Sequence, residues 1–235
     1  MAKWDLRREL YRKAVHVSLC VLLLVPFYYR IPLTLSAYYG LGLFLTALMN
    51  SFAVKRIQLA EDIEAIEEHV KAFRGLFEKH LGEPIKVLEE PIAKLEKFAL
   101  EQISILERDY ERREGYVGLL YGMIGVSTTY LVFPGYIYYG ALALLVVDPV
   151  ASLTGMLTGE GRKPPLHGTL GGFAISSALY ATLLYTLMRA DPLSATAVAV
   201  AASAAELLSV EDNLTIPFAA ALTAWLTGMP ALTPL

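Results

Sequence analysis

The chain has 235 residues, 55% of them hydrophobic and 18% charged, with a formal charge of −3 and a mean hydropathy of +0.48. A water-soluble domain carries about one-quarter charged residues, so the surplus of apolar side chains calls for a lipid-facing surface, and no nucleic-acid partner is expected. The lone cysteine, Cys20, excludes an internal disulfide. With only two Asn and two Gln besides, the chain shows a thrift in thermolabile residues found in hyperthermophiles.

Apolar runs at 14–29, 33–50, 116–133, 136–158, 168–188, 192–210 and 213–229 predict seven membrane spans. Crossing a hydrocarbon core of ~30 Å takes ~20 helical residues, so several of these spans are short. The first follows basic residues, as a signal peptide would. It has no small-x-small cleavage site, however, and ends in "PFYYR" (26–30), an aromatic and basic interface anchor. It reads as a retained span. The expected fold is all-α: a polytopic integral membrane bundle of about seven transmembrane helices with a cytoplasmic helical hairpin inserted. Its parts are two spans in 1–51, the hairpin in 52–115, and five spans in 116–235.

Basic residues set the orientation. The N-terminal segment holds 5 Lys/Arg, the loop 51–115 holds 11 and the loop 159–167 holds 2, whereas Arg30 and Arg189 alone lie on the other side. The N-terminus is expected in the cytoplasm and the C-terminus outside.

Within the insertion, Leu59, Ile63, Ile66, Val70, Phe73 and Phe77 follow a heptad rhythm. "HLGEP" (80–84) marks a turn, and Ile85, Leu88, Ile92, Leu95 and Ala99 continue on the far side. This predicts an antiparallel hairpin that stands in the cytoplasm and can pair two copies of the chain as a homodimer.

Ionisable residues inside spans cost ~2.5–3.5 kcal/mol each at mid-helix, so the few present call for a reason. Arg12, Lys13 and His16 open the first span, Asp148 sits in the fourth, Glu206 ends the sixth, and Asp212 and Asn213 begin the seventh. Each has an ordinary reading: interface anchors for Arg12 and Lys13, a hydrogen-bonded core histidine, a snorkelling Glu206, a helix cap at Asp212. Asp148 is hardest to explain that way, because its own span carries no Lys or Arg. The topology places all of them in one inner-leaflet layer.

The chemistry fitting that layer is phosphate chemistry. Hard carboxylates at Asp148, Glu206 and Asp212 suit Mg²⁺, which takes one or two of them together with phosphate oxygens. Gly155, Gly159, Gly161, Gly168, Gly171 and Gly172 allow backbone N–H groups to approach an anion. Arg162 and Lys163 add positive charge for a transferring phosphoryl group. No GxxxxGK[ST] loop occurs.

The segments "RRELYRKAVH" (7–16), "VVDPVASLTGMLTG" (146–159), "HGTLGGF" (167–173) and "AAELLSVEDNLTIPF" (204–218) together resemble the CTP-dependent polyprenol kinases, among them dolichol kinase, phytol kinase and the yeast-type diacylglycerol kinase. The likeness touches nearly every span and omits the insertion. Val147-Asp148 stands where the family has Gly-Asp, and Pro164 to Thr169 replaces its KSxEGS loop.

The resemblance implies a Mg²⁺-dependent kinase that transfers phosphate from CTP to a membrane lipid alcohol. Asp148 would be general base, with His16 second. Asp148, Glu206 and Asp212 would hold the metal, and Arg12, Lys13, Arg162, Lys163, Gly155, Gly159, Gly168, Thr169 and Asn213 the nucleotide and its phosphates. A CTP-using cytidylyltransferase that makes a CDP-lipid, a transporter and a non-catalytic membrane scaffold are the alternatives.

Overall fold

A computed structural model describes residues 3–52, 117–159 and 166–233 of the chain. The expected hairpin lies outside the described residues save for Phe52. The chain divides into two compact units, residues 1–47 with 118–235 and residues 48–117. The first unit is a helical bundle.

Seven α-helices are present among the described residues, and no strand: α1 (Lys3–Tyr28), α2 (35–52), α3 (Val117–Val132), α4 (Ile137–Thr158), α5 (Leu170–Met188), α6 (Pro192–Leu208) and α7 (Asp212–Leu226). A 3₁₀ turn, Pro134–Tyr136, leads into α4. The segments Leu10–Tyr28, Pro134–Thr158 and Leu170–Met188 are long and apolar enough to cross a membrane. Gly118–Val132 and Pro192–Leu208 are apolar but shorter.

Local chemistry fixes the helix ends. Asp191 caps α6 by accepting from the Ser194 N–H at 3.0 Å, and Pro192 takes the first position, where an N–H is not needed. Thr169 caps α5 by accepting from the Gly172 N–H at 3.1 Å. Gly159 ends α4 in the left-handed conformation, φ 66°, which favours glycine.

α4 is the central helix. Half of its membrane-length segment is buried, against 22% for α5, and it packs on α1, α5, α6 and α7. Glycines let the backbones approach closely, as small residues do between membrane helices. A Cβ on Gly140 would lie 2.5 Å from the Pro217 carbonyl oxygen, and one on Gly125 would lie 2.8 Å from the carbonyl oxygens of Asn213 and Leu214. One on Gly172 would come within 2.7 Å of the Ala151 carbonyl oxygen.

Aromatic side chains gather at one end of the bundle. The Tyr28 and Tyr138 hydroxyls hydrogen-bond, Phe27 meets Tyr138 edge-on, and Tyr39 contacts both Tyr38 and Tyr130. Tyrosine concentrates where membrane meets water. At the same end the chain after α7 turns at Gly228, and the Leu232 N–H donates to the Gly135 carbonyl at 2.8 Å. The Tyr139 hydroxyl donates to the Pro230 carbonyl at 2.8 Å.

Candidate functional site: a buried carboxylate between two helices

α1 and α4 run antiparallel, with Tyr28 beside Tyr138 at one end and Lys13 beside Asp148 further along. Asp148 lies ten residues beyond Tyr138, about 15 Å along the axis. The Lys13 Nζ donates to Asp148 Oδ1 at 2.7 Å, and these side chains are only 9% and 6% exposed. His16 Nε2 stands 3.2 Å from Asp148 Oδ2. Both oxygens of the carboxylate are therefore engaged by α1. The same His16 nitrogen is 3.2 Å from the Leu144 carbonyl oxygen and 3.3 Å from Cys20 Sγ.

The helical spacing explains the convergence. Lys13, His16 and Cys20 are three and four residues apart and share one face of α1, while Leu144 and Asp148 are one turn apart on α4. Cys20 is a site neighbour that the sequence reading missed; the 13–16–20 spacing is the signal that reveals it. An ammonium is a fitting partner for a carboxylate here, since an isolated charge in hydrocarbon pays a large desolvation cost.

A second cell lies further along α4, towards its C-terminal end. A Cβ on Gly155 would lie 3.0 Å from Thr169 Cγ2 and 3.1 Å from Thr169 Oγ1, so the cap of α5 rests against α4. The His167 and Gly168 N–H groups both donate to the Leu207 carbonyl, at 2.9 and 3.1 Å, which ties this loop to the end of α6. A Cβ on Gly168 would meet Glu206 Oε2 at 2.7 Å and Oε1 at 3.1 Å. The missing side chain is what admits the buried Glu206 carboxylate. Asp148 precedes Gly155 by seven residues, about 10 Å of helix. The polar residues thus form two neighbouring cells along α4, where the sequence led us to expect one layer.

The other expected residues are spread around these cells. Asp212 is the first residue of α7, with Glu211 in the cap position, and Asp212 Oδ1 accepts from the Asn213 N–H at 2.7 Å. Asn213 packs against α3 beside Gly122 and Gly125. Its Oδ1 is buried without a hydrogen-bond partner among the described residues. Arg12 is half-buried on α1. Arg162 and Lys163 lie outside the described residues.

Four of the glycines read as anion-approach positions have other local duties: Gly159 ends a helix, Gly155 receives Thr169, Gly168 receives Glu206 and Gly172 lies against the Ala151 carbonyl. Among the described residues, no group of three or more His, Cys, Asp or Glu side chains is placed to hold a metal ion. What the site offers is one carboxylate oriented by two cation-capable side chains, with a second buried carboxylate in the adjoining cell. No protein-family model, curated protein or solved structure significantly matches this chain.

Proposed function

We propose that this protein is a membrane-embedded, CTP-dependent kinase that phosphorylates the hydroxyl of a long-chain isoprenoid alcohol at the cytoplasmic face. The observation that carries the reading is the carboxylate of Asp148, buried among membrane-length helices and gripped at both oxygens by Lys13 and His16. Structural packing alone has no need of such a charge. The segments that carry the family resemblance also form one chain of contacts: 13–16 with 148, 151–155 with 169–172, and 168 with 206.

In this reading the alcohol lies between helices with its hydroxyl at Asp148. Its oxygen attacks the γ-phosphorus of CTP, the bond from that phosphorus to the β,γ-bridging oxygen breaks, and CDP leaves. The hydroxyl proton passes to Asp148, the role an aspartate takes in protein kinases. Arg12, together with Arg162 and Lys163, meets the phosphates. Asn213, with its unmatched buried acceptor, takes a hydrogen bond from the nucleotide. A carboxylate that takes the hydroxyl proton cannot at the same time serve as a tight metal ligand, so Asp148 stays outside the metal set. Glu206 and Asp212 are then the residues that would hold Mg²⁺, one or two carboxylates being enough when phosphates complete the shell. A divalent ion held by those carboxylates would supply positive charge against the transferring phosphoryl group.

The test is purified protein in detergent with Mg²⁺, γ-labelled CTP and a panel of isoprenoid alcohols. Label entering lipid, and lost in Asp148→Asn, is the expected result. Pyrophosphate release with a lipid phosphate acceptor would replace the kinase with a cytidylyltransferase. Absence of any nucleotide binding would leave a membrane scaffold.

A further inference from the structure

The imidazole of His16 is the least expected part of the site. Its Nε2 faces two oxygens at 3.2 Å, the Leu144 carbonyl and Asp148 Oδ2. Carbonyl and ionised carboxylate oxygens only accept hydrogen bonds. A nitrogen set between them must carry the hydrogen, because a bare lone pair there would face two others. Cys20 Sγ, 3.3 Å from the same nitrogen, is then a weak acceptor or a soft wall, and its thiol hydrogen has no lone pair to meet at Nε2.

From this geometry we infer that His16 is a positioning residue for Asp148: its Nε2–H, hydrogen-bonded to the Leu144 carbonyl and set 3.2 Å from Asp148 Oδ2, fixes the rotation of the carboxylate. Lys13 cannot do this alone. An ammonium is a compact point charge with rotatable donors, and the terminal torsion of Asp is broad, so a carboxylate held at Oδ1 only is left to swing. The second anchor at Oδ2 removes that freedom. Because Leu144 and Asp148 belong to the same helix, the ring is tied to the backbone that carries the carboxylate, and the two shift together. His16 is thereby withdrawn from the role of general base: the nitrogen next to the reacting carboxylate is a donor.

The consequence for turnover rests on the kinase reading; the hydrogen-bond arrangement does not. The first arm therefore needs no activity. With four histidines in the chain, His16, His69, His80 and His167, histidine-selective ¹⁵N labelling gives a sparse long-range ¹H–¹⁵N spectrum, in which His16 is assigned by its loss in His16→Gln. The expected result is a protonated Nε2 that changes environment in Asp148→Asn; a bare Nε2 overturns the inference.

The second arm measures turnover. The amide nitrogen of glutamine overlays Nε2, so His16→Gln should keep activity within about threefold of wild type, while His16→Leu should lose about 10–100-fold in kcat, the scale of a small misplacement of a reacting group. The KM for CTP should stay within about twofold in both, since neither residue is assigned to the nucleotide. Gln as inactive as Leu would restore His16 as the base and sink the proposal. Wild-type protein without turnover would end the kinase reading, and the nitrogen spectrum alone would then decide the inference.

Discussion

Lys13 and Asp148 supply each other's counter-charge at 2.7 Å, out of reach of water. Breaking a buried pair by removing one partner costs about 3–5 kcal/mol, whereas replacing both with apolar residues of similar volume is often neutral. Lys13→Met and Asp148→Leu should each unfold markedly earlier in detergent, and the double variant should recover most of the loss. Two single effects that simply add would show that the pair is not coupled in the folded protein. At the neighbouring cell, Gly168→Ala puts a methyl group 2.7 Å from Glu206 Oε2. That carboxylate must swing away, so turnover should fall about tenfold or more, and shortening the partner with Glu206→Asp should return part of it. An unchanged rate in Gly168→Ala would mean that the seat of Glu206 does not matter. Asp148 could be singled out in the sequence because a lone acid in an apolar run is costly. The tautomer of His16 could not, since it depends on a backbone carbonyl 128 positions away.

At the level of elements, the sequence located the helices well and the glycines poorly. Runs such as 136–158 and 192–210 correspond to α4 and α6 because an apolar stretch long enough to need burial has few other shapes to take. The capping residues sharpen the ends: Asp191 before Pro192 is a start signal, and Gly159 is a stop. Glycine spacing is ambiguous, since the same absent Cβ serves a phosphate, a turn or a neighbouring helix, and the partner is not written nearby in the chain. Substitution separates these uses. Gly140→Ala would drive a Cβ to 2.5 Å from the Pro217 carbonyl, and should destabilise by about 1–3 kcal/mol as the helices part. Gly40→Ala, on α2 with nothing within 4 Å, should be neutral or stabilise by about 0.5–1 kcal/mol through better helix propensity. Equal melting temperatures for the two variants would refute the close packing of α4 on α7.

For the whole molecule, the orientation drawn from its basic residues can be checked with thiol chemistry. Cys20 is 2% exposed, so the native chain should give little background with a membrane-impermeant maleimide. Leu193, 79% exposed at the start of α6, and Val210, 74% exposed between α6 and α7, lie at opposite ends of one helix. Leu193→Cys should label in intact cells, and Val210→Cys only after permeabilisation; the reverse pattern would invert the topology and move the site to the outer face. The close helix contacts also bear on how such a protein changes over evolutionary time. Where a new side chain would strike backbone, as at Gly125, Gly140 and Gly172, a single exchange destabilises the bundle unless a compensating change across the interface accompanies it. Exposed positions such as Leu131, Leu157 and Leu187 accept almost any apolar residue. Divergence is thus channelled to the outside of the bundle, and two descendants of one ancestor can lose nearly all overall identity while keeping the same few glycines at the same depths. For this architecture, ancestry is better sought in those pairs of touching positions than in the length of an alignment.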